Sequence, residues 1–173
     1  MSVAGLSVRP LREADAPGWH ALMREGAETV PDAFLLSPGE VRAMTPEEVR
    51  ASVTRGHLHG LFLPDGTLAG FGALHPGGVE RVRHRAAIGP FYVSADLRGT
   101  GAGEALMRGL VAAARRAGID WLDLWVAADN LRARAFYRRM GFAEVCTRPD
   151  AVRIGGVPFA DVLMVGAVEA MSS

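Results

Sequence analysis

Apolar positions along the chain change their period several times, and each change marks a new element. Leu6 to Arg9 is a short apolar run stopped by Pro10 and predicts a strand. From Ala14 to Thr29, Trp19, Leu22 and Met23 fall at helical spacing and predict a helix whose last turn Gly26 weakens. Pro31 to Glu40 carries Phe34, Leu35 and Leu36 with no regular period between its prolines. It reads as a loop, either a lid over a core edge or one wall of a pocket. Thr45-Pro46-Glu47-Glu48 is a capping box with proline at the first helical position, so a second helix is expected to run to about Arg55, ahead of Gly56. His57 to Leu63 and Thr67 to Leu74 are β-rich runs around Pro64-Asp65-Gly66, the turn chemistry of a hairpin.

Val82 to Val93 predicts a long strand interrupted by Gly89-Pro90, and proline, which cannot donate to a ladder, belongs at a bulge or an unpaired edge. From Glu104 to Gly118, Leu106, Gly109, Leu110, Ala113, Ala114 and Ala117 mark one side of a helix that packs on the sheet. Ile119 to Ala127 is nearly continuously apolar and predicts a central strand buried on both faces. Asn130 caps a further helix that Gly141 ends, and Val145 to Ile154 with Val157 to Val168 close the sheet as a hairpin through Gly155-Gly156. The order predicts an α/β fold of the α+β kind: a mixed, twisted sheet of about seven strands with about four helices, in one domain over residues 1–173 with its core at about 6–168. The tail at Met171-Ser172-Ser173 is expected to fray.

One loop carries chemistry. Arg98-Gly99-Thr100-Gly101-Ala102-Gly103 joins the strand ending in Phe91-Tyr92-Val93-Ser94 to the alanine-rich helix. A helix opening leaves unpaired N–H groups at the positive end of its dipole, and small residues let an anion approach them, so the loop suits phosphates. Arg98 adds a planar cation. A dinucleotide fingerprint from Gly99 would need glycine or alanine where Glu104 stands, although Asp120 and Asp123 lie near the distance for a ribose-binding acid, and no Gly-Lys-Ser/Thr follows as a Walker loop requires. A glycine-rich turn that is only a tight connection is the plain alternative.

A second block decides among these: Asn130-x-x-Ala133-x-x-Phe136-Tyr137 followed by Gly141-Phe142. Together with Arg98-x-x-Gly101-x-Gly103, in this order and with this gap, it resembles the GNAT superfamily of acetyl-CoA-dependent N-acetyltransferases, and the resemblance extends from about Leu6 to Val168. It implies acetyl-CoA as co-substrate, held where the fourth and fifth strands part beside the bulge. Pyrophosphate would sit on Arg98, Gly99, Thr100, Gly101, Ala102 and Gly103. The pantetheine arm would pair with Phe91 and Val93, flanked by Asn130, Ala133 and Phe136. Tyr137 would face the thioester sulfur as general acid, since a phenol of pKa near ~10 can protonate a thiolate whose conjugate acid is near ~8.5; a tyrosine that only anchors the helix is the alternative. Where some members carry a strand glutamate this chain has a residue near Ala87, so the base is open: His84 is the first candidate, with His75 and Glu80 behind it, and the amine arriving already neutral is the other course. His57-x-His59 shares a strand face but lacks a third ligand, so no metal is expected; a backbone N–H near Val93 can polarise the acetyl carbonyl.

Charge narrows the partners. Lys plus Arg and Asp plus Glu number 19 each, giving no net charge, so the field that gathers nucleic acid or an anionic membrane is absent. Arg132, Arg134, Arg138, Arg139 and Arg148 have no exposed aromatics interleaved and read as a solvated face. Cys146 is the single cysteine, which excludes an internal disulfide and fits a reducing interior. With no window long and apolar enough for a membrane span, the expected location is cytoplasmic. The acceptor is a small-molecule or peptide amine, and Glu28, Asp32 and Glu40 would favour a cationic one. A homodimer through sheet edges or terminal strands is common in similar proteins. Two other readings stand beside catalysis: an acetyl-CoA-binding regulatory module without turnover, and an arginine-decorated interaction protein.

Overall fold

The structure, a computed structural model, describes residues 5–171. Its elements in chain order are β1 (Ser7–Pro10), α1 (Ala16–Thr29), α2 (Pro38–Ala43), α3 (Pro46–Thr54), β2 (Leu58–Phe62), β3 (Leu68–Pro76), β4 (Arg85–Val93), α4 (Ala102–Arg116), β5 (Trp121–Ala127), α5 (Leu131–Arg139), β6 (Ala143–Ile154) and β7 (Val157–Ala167). The seven strands form a mixed sheet in the order β1-β2-β3-β4-β5-β7-β6. β4 runs parallel to β5, pairing Arg85, Ala86 and Ala87 with Trp121, Leu122 and Asp123, while β5 pairs antiparallel with β7 as far as Ala127 and Asp161.

Two expectations change. Among the described residues there are five α-helices, not about four. The extra one, α2, lies where a loop was expected: Ser37 Oγ accepts from the Glu40 amide at 3.3 Å, Glu40 returns a carboxylate oxygen to the Ser37 amide at 2.8 Å, and Pro38 fills the first turn. This is the same box as Thr45 and Glu48 make at the head of α3. β5 is buried on one face only. Leu122, Leu124 and Val126 are buried, but Trp121 and Trp125 on the alternate face are 40% and 42% exposed. Each of those indoles has an arginine over it, Arg85 at 5.8 Å and Arg148 at 4.3 Å, so a broad apolar ring is covered by a side chain instead of by a layer of the fold.

The chain divides into two compact units, one of Met1–Leu74 with Pro90–Leu110, the other of His75–Gly89 with Val111–Ser173. In the first, Trp19, Phe34, Phe71 and Tyr92 form a ring cluster with centroids 5.6–6.5 Å apart, and a second cluster joins Leu61, Ala69, Val93, Leu97, Ala102 and Leu106. The buried members of the second unit include Val111, Ala114, Leu122, Leu124, Phe142 and Met164. No helix among the described residues is long and apolar enough to cross a membrane.

α4 approaches β1 through a glycine. A Cβ at Gly109 would lie 2.4 Å from Val8 Cγ1 and 2.5 Å from Val8 Cβ, so the bare backbone sets how closely helix and strand meet. In an exposed helix Gly→Ala gains about 1 kcal/mol, whereas forcing atoms into a packed contact costs about 1–3 kcal/mol. Gly109→Ala is therefore expected to destabilise by up to roughly 2 kcal/mol. A rise in its urea midpoint would show that the helix can move away freely.

Candidate active site

The phosphate-type loop is built from the end of β4 upward. Gly70 on β3 lets β4 come close, because a Cβ there would sit 2.9 Å from the Tyr92 carbonyl oxygen; the Phe91 ring lies over Gly72, within 3.3 Å of where its Cβ would be. After Val93 the chain turns through Ala95–Leu97, and Thr100 ties back by its hydroxyl to the Leu97 carbonyl at 2.7 Å. Gly99 and Gly101 take φ of 79° and 94°, which side chains rarely adopt, and space around Gly99 is open to 4 Å. Ala102, fully buried, pins the first residue of α4, and the helical ladder opens with the Ala105 amide on the Gly101 carbonyl at 3.0 Å. The first turn of this 15-residue helix lies at the positive end of its dipole.

Arg98 does not extend from this loop as a free fork. Its guanidinium folds back, donating to the Tyr92 hydroxyl at 3.1 Å and resting 5.4 Å from that ring. Tyr92 in turn donates to Glu25 on α1 at 2.8 Å, and the same carboxylate oxygen accepts the Ala95 amide at 3.1 Å. Thr29 also reaches the hydroxyl, at 3.3 Å. This chain of bonds ties α1, the end of β4 and the turn into the loop to one buried phenol. Burial pushes the Tyr92 pKa up, Thr29 opposes that, and Glu25 adds to it.

The second block lies in the other unit. Asn130 caps α5, its side-chain oxygen taking the Ala133 amide at 3.0 Å. That amide is thereby spoken for. Tyr137 is partly buried and packs edge-on against Phe136 at 5.2 Å and Phe142 at 5.9 Å. Burial alone pushes its phenol well above the usual 10. It stays protonated at neutral pH.

The base candidates are dispersed. His84 lies in the turn ahead of β4, where its carbonyl receives the amides of Asp120 and Trp121, at the opposite end of the strand from Phe91 and Val93. His75 Nε2 bonds the Gly89 carbonyl at 2.9 Å, Glu80 pairs with Arg83 at 3.1 Å, and Ala87 is exposed. Of the acids near α2, Glu28 pairs with Arg42 and Glu40 closes its capping box; the side chain of Asp32 lies outside the described residues.

Comparison with known proteins places this arrangement. Residues 19–142 match the acetyltransferase (GNAT) family. The chain belongs to that family. It is 33% identical over 158 residues to a mycothiol acetyltransferase of Kineococcus radiotolerans, covering 83% of this chain and 45% of that protein. An uncharacterized N-acetyltransferase of Methanocaldococcus jannaschii is 34% identical over 82 residues, 46% of this chain and 36% of that one. The chain thus spans less than half the length of these curated relatives. Among solved structures, a GNAT-family acetyltransferase of Streptococcus pneumoniae superposes with a TM-score of 0.82 at 23% identity, covering 94% of this chain and 99% of that one. YncA of Salmonella typhimurium, determined with its cofactor acetyl-CoA, gives 0.81 at 14% identity over 98% of both chains. At these identities the likeness is one of fold.

Within the GNAT family assignment, the Glu25–Tyr92–Arg98 chain is the feature that sequence reasoning missed. Tyr92 was legible only as one more apolar letter in β4. The two tyrosines also give the molecule a defined alkaline response, because all 19 basic residues are arginine and no lysine titrates beside them. Both have folded pKa values above the usual 10, so the folded state holds these protons more tightly. Their contribution is fully present below pH 10 and is lost as the pH rises beyond it. Urea midpoints should hold steady up to about pH 9 and fall above about pH 10, and the fall should shrink in Tyr137→Phe. An unchanged alkaline slope in that variant would contradict the assigned burial.

Proposed function

We propose that the chain is an N-acetyltransferase that moves an acetyl group from acetyl-CoA to a primary amine, acting as one domain over residues 1–173. The observation that carries this reading is the loop at the head of α4, where Gly99 and Gly101 take positive φ just ahead of a 15-residue helix. The chain crosses between the two units inside β3, β4 and α4, which supports treating them as one domain. The loop fits a diphosphate: Gly99 and Gly101 carry the required positive φ, and no side chain shields Gly99. Arg98, Gly99, Thr100, Gly101, Ala102 and Gly103 would hold the pyrophosphate, with Arg98 acting by its charge from its seat on Tyr92. The backbone at Phe91 and Val93 would hold the pantetheine arm, and Asn130, Ala133 and Phe136 would line it.

Acetyl-CoA supplies an acetyl group activated as a thioester. The amine exchanges one proton for the acetyl group, and the thiolate released takes up one proton, so no oxidant, metal or covalent enzyme intermediate enters the balance. Tyr137 is assigned to the sulfur. With its pKa raised, the phenol stabilises developing thiolate charge chiefly as a hydrogen-bond donor, and the amine's own proton makes the transfer complete. The base step is assigned to the amine arriving neutral, since His84 sits at the far end of β4 and His75 is bonded to Gly89.

An amine-panel assay that follows free coenzyme thiol tests the reading. Tyr137→Phe should lower kcat by about 10²–10⁴ with acetyl-CoA affinity nearly unchanged. A variant as fast as the parent would remove the acid role. A parent that binds acetyl-CoA and turns over no amine would favour the regulatory module.

A further inference from the structure

The exposed face of β5 carries two arginine–tryptophan–aspartate groups, and they are not equivalent. In one, Arg85 grips Asp123 through both Nε and Nη2 with Trp121 beside it, a closed bidentate pair. In the other, Arg148 lies flat over Trp125 at 4.3 Å but meets Asp161 through one bond of 3.3 Å, at the long end of the range. The Asp161 side chain is only 11% exposed, whereas that of Arg148 is 49% exposed. A buried carboxylate is thus held by one loose contact from a half-solvated cation, although a carboxylate has room for about four hydrogen bonds.

The backbone explains why Arg148 is loosely held. β6 pairs Arg148 with Asp161, and the register then shifts before resuming at Val152 with Phe159. Within the shifted stretch Asp150 takes a φ of 48°, uncommon for a residue with a side chain, and pairs with Arg153 at 2.8 Å instead of with β7. Arg148 therefore stands at the last regular position before a bulge. Asp161 and Trp125 do not share that freedom, because they sit on β7 and β5, whose ladder is regular from Trp121 to Ala127.

We propose that Asp161 and Trp125 form a binding site for the ammonium group of a cationic amine, and that Arg148 fills it as an internal stand-in which the ligand displaces. A ring face and a buried carboxylate are complementary to a cation, and the guanidinium already there shows that the cup accepts one. As an assignment of the acceptor's class, an amine that carries a second, charged ammonium group beside the neutral one to be acetylated, this rests on the acetyl-transfer reading; as a binding site it does not.

The test follows the Trp125 indole N–H resonance, assigned with Trp125→Phe, during titration with 1,4-diaminobutane in the absence of acetyl-CoA. A saturable shift is expected with the diamine and not with uncharged 1,4-butanediol. Arg148→Ala, a change at an exposed side chain, should tighten diamine binding by about 3- to 30-fold, and Asp161→Asn should abolish it. A diamine response no larger than the diol's, or an affinity in Arg148→Ala equal to or weaker than the parent's, overturns the proposal whether or not Asp161→Asn folds. Because no acetyl donor is present, failure here and failure of acetyl transfer are read separately.

Discussion

An α-helix cannot satisfy its own first amides, and the candidate site depends on how the chain enters α4. Ser37 and Thr45 cap α2 and α3 with side-chain oxygens. At the head of α4, Gly99 and Gly101 turn the chain at positive φ, and the space about Gly99 is open. The residues on either side are held firmly. Leu97 and Ala102 are buried, Thr100 is tied to Leu97, and Gly109 sets α4 close against Val8. Donors fixed in place before a ligand arrives need no ordering on binding, which is the physical basis for reading the loop as an anion site.

The Glu25–Tyr92–Arg98 chain belongs to the same logic. A phenol buried beside Phe34 and Phe71 requires partners, and those it finds lie on α1 and at the start of the loop. Arg98 consequently serves two ends. Its charge stays next to the loop while its hydrogen bonds brace the turn that presents it.

Much of the fold was legible because its signals are local. The Thr45 box, the Asn130 cap and the Pro64-Asp65-Gly66 turn each involve residues within four positions of one another, and each is found where expected. α2 carried an equally local signal in Ser37 and Glu40, hidden by the apolar letters of Phe34 to Leu36. What could not be read was long-range. Glu25 and Tyr92 are 67 positions apart, and Arg85 and Asp123 are 38 apart. The cover over Trp121 and Trp125 comes from arginines on other strands, Arg85 on β4 and Arg148 on β6, which no periodicity in β5 reveals. In the candidate site the loop and Tyr137 came from the motif, whereas the brace behind the loop came only from the fold.

The central claim is that backbone amides at the head of α4 hold the coenzyme's phosphates. Calorimetric titration of acetyl-CoA into the parent and into Gly101→Glu tests it most directly. That substitution adds a side chain at a φ of 94° and a negative charge beside the proposed phosphates. The account predicts measurable binding by the parent and none by a Gly101→Glu variant whose circular dichroism shows it folded. Undiminished affinity in that folded variant would contradict it.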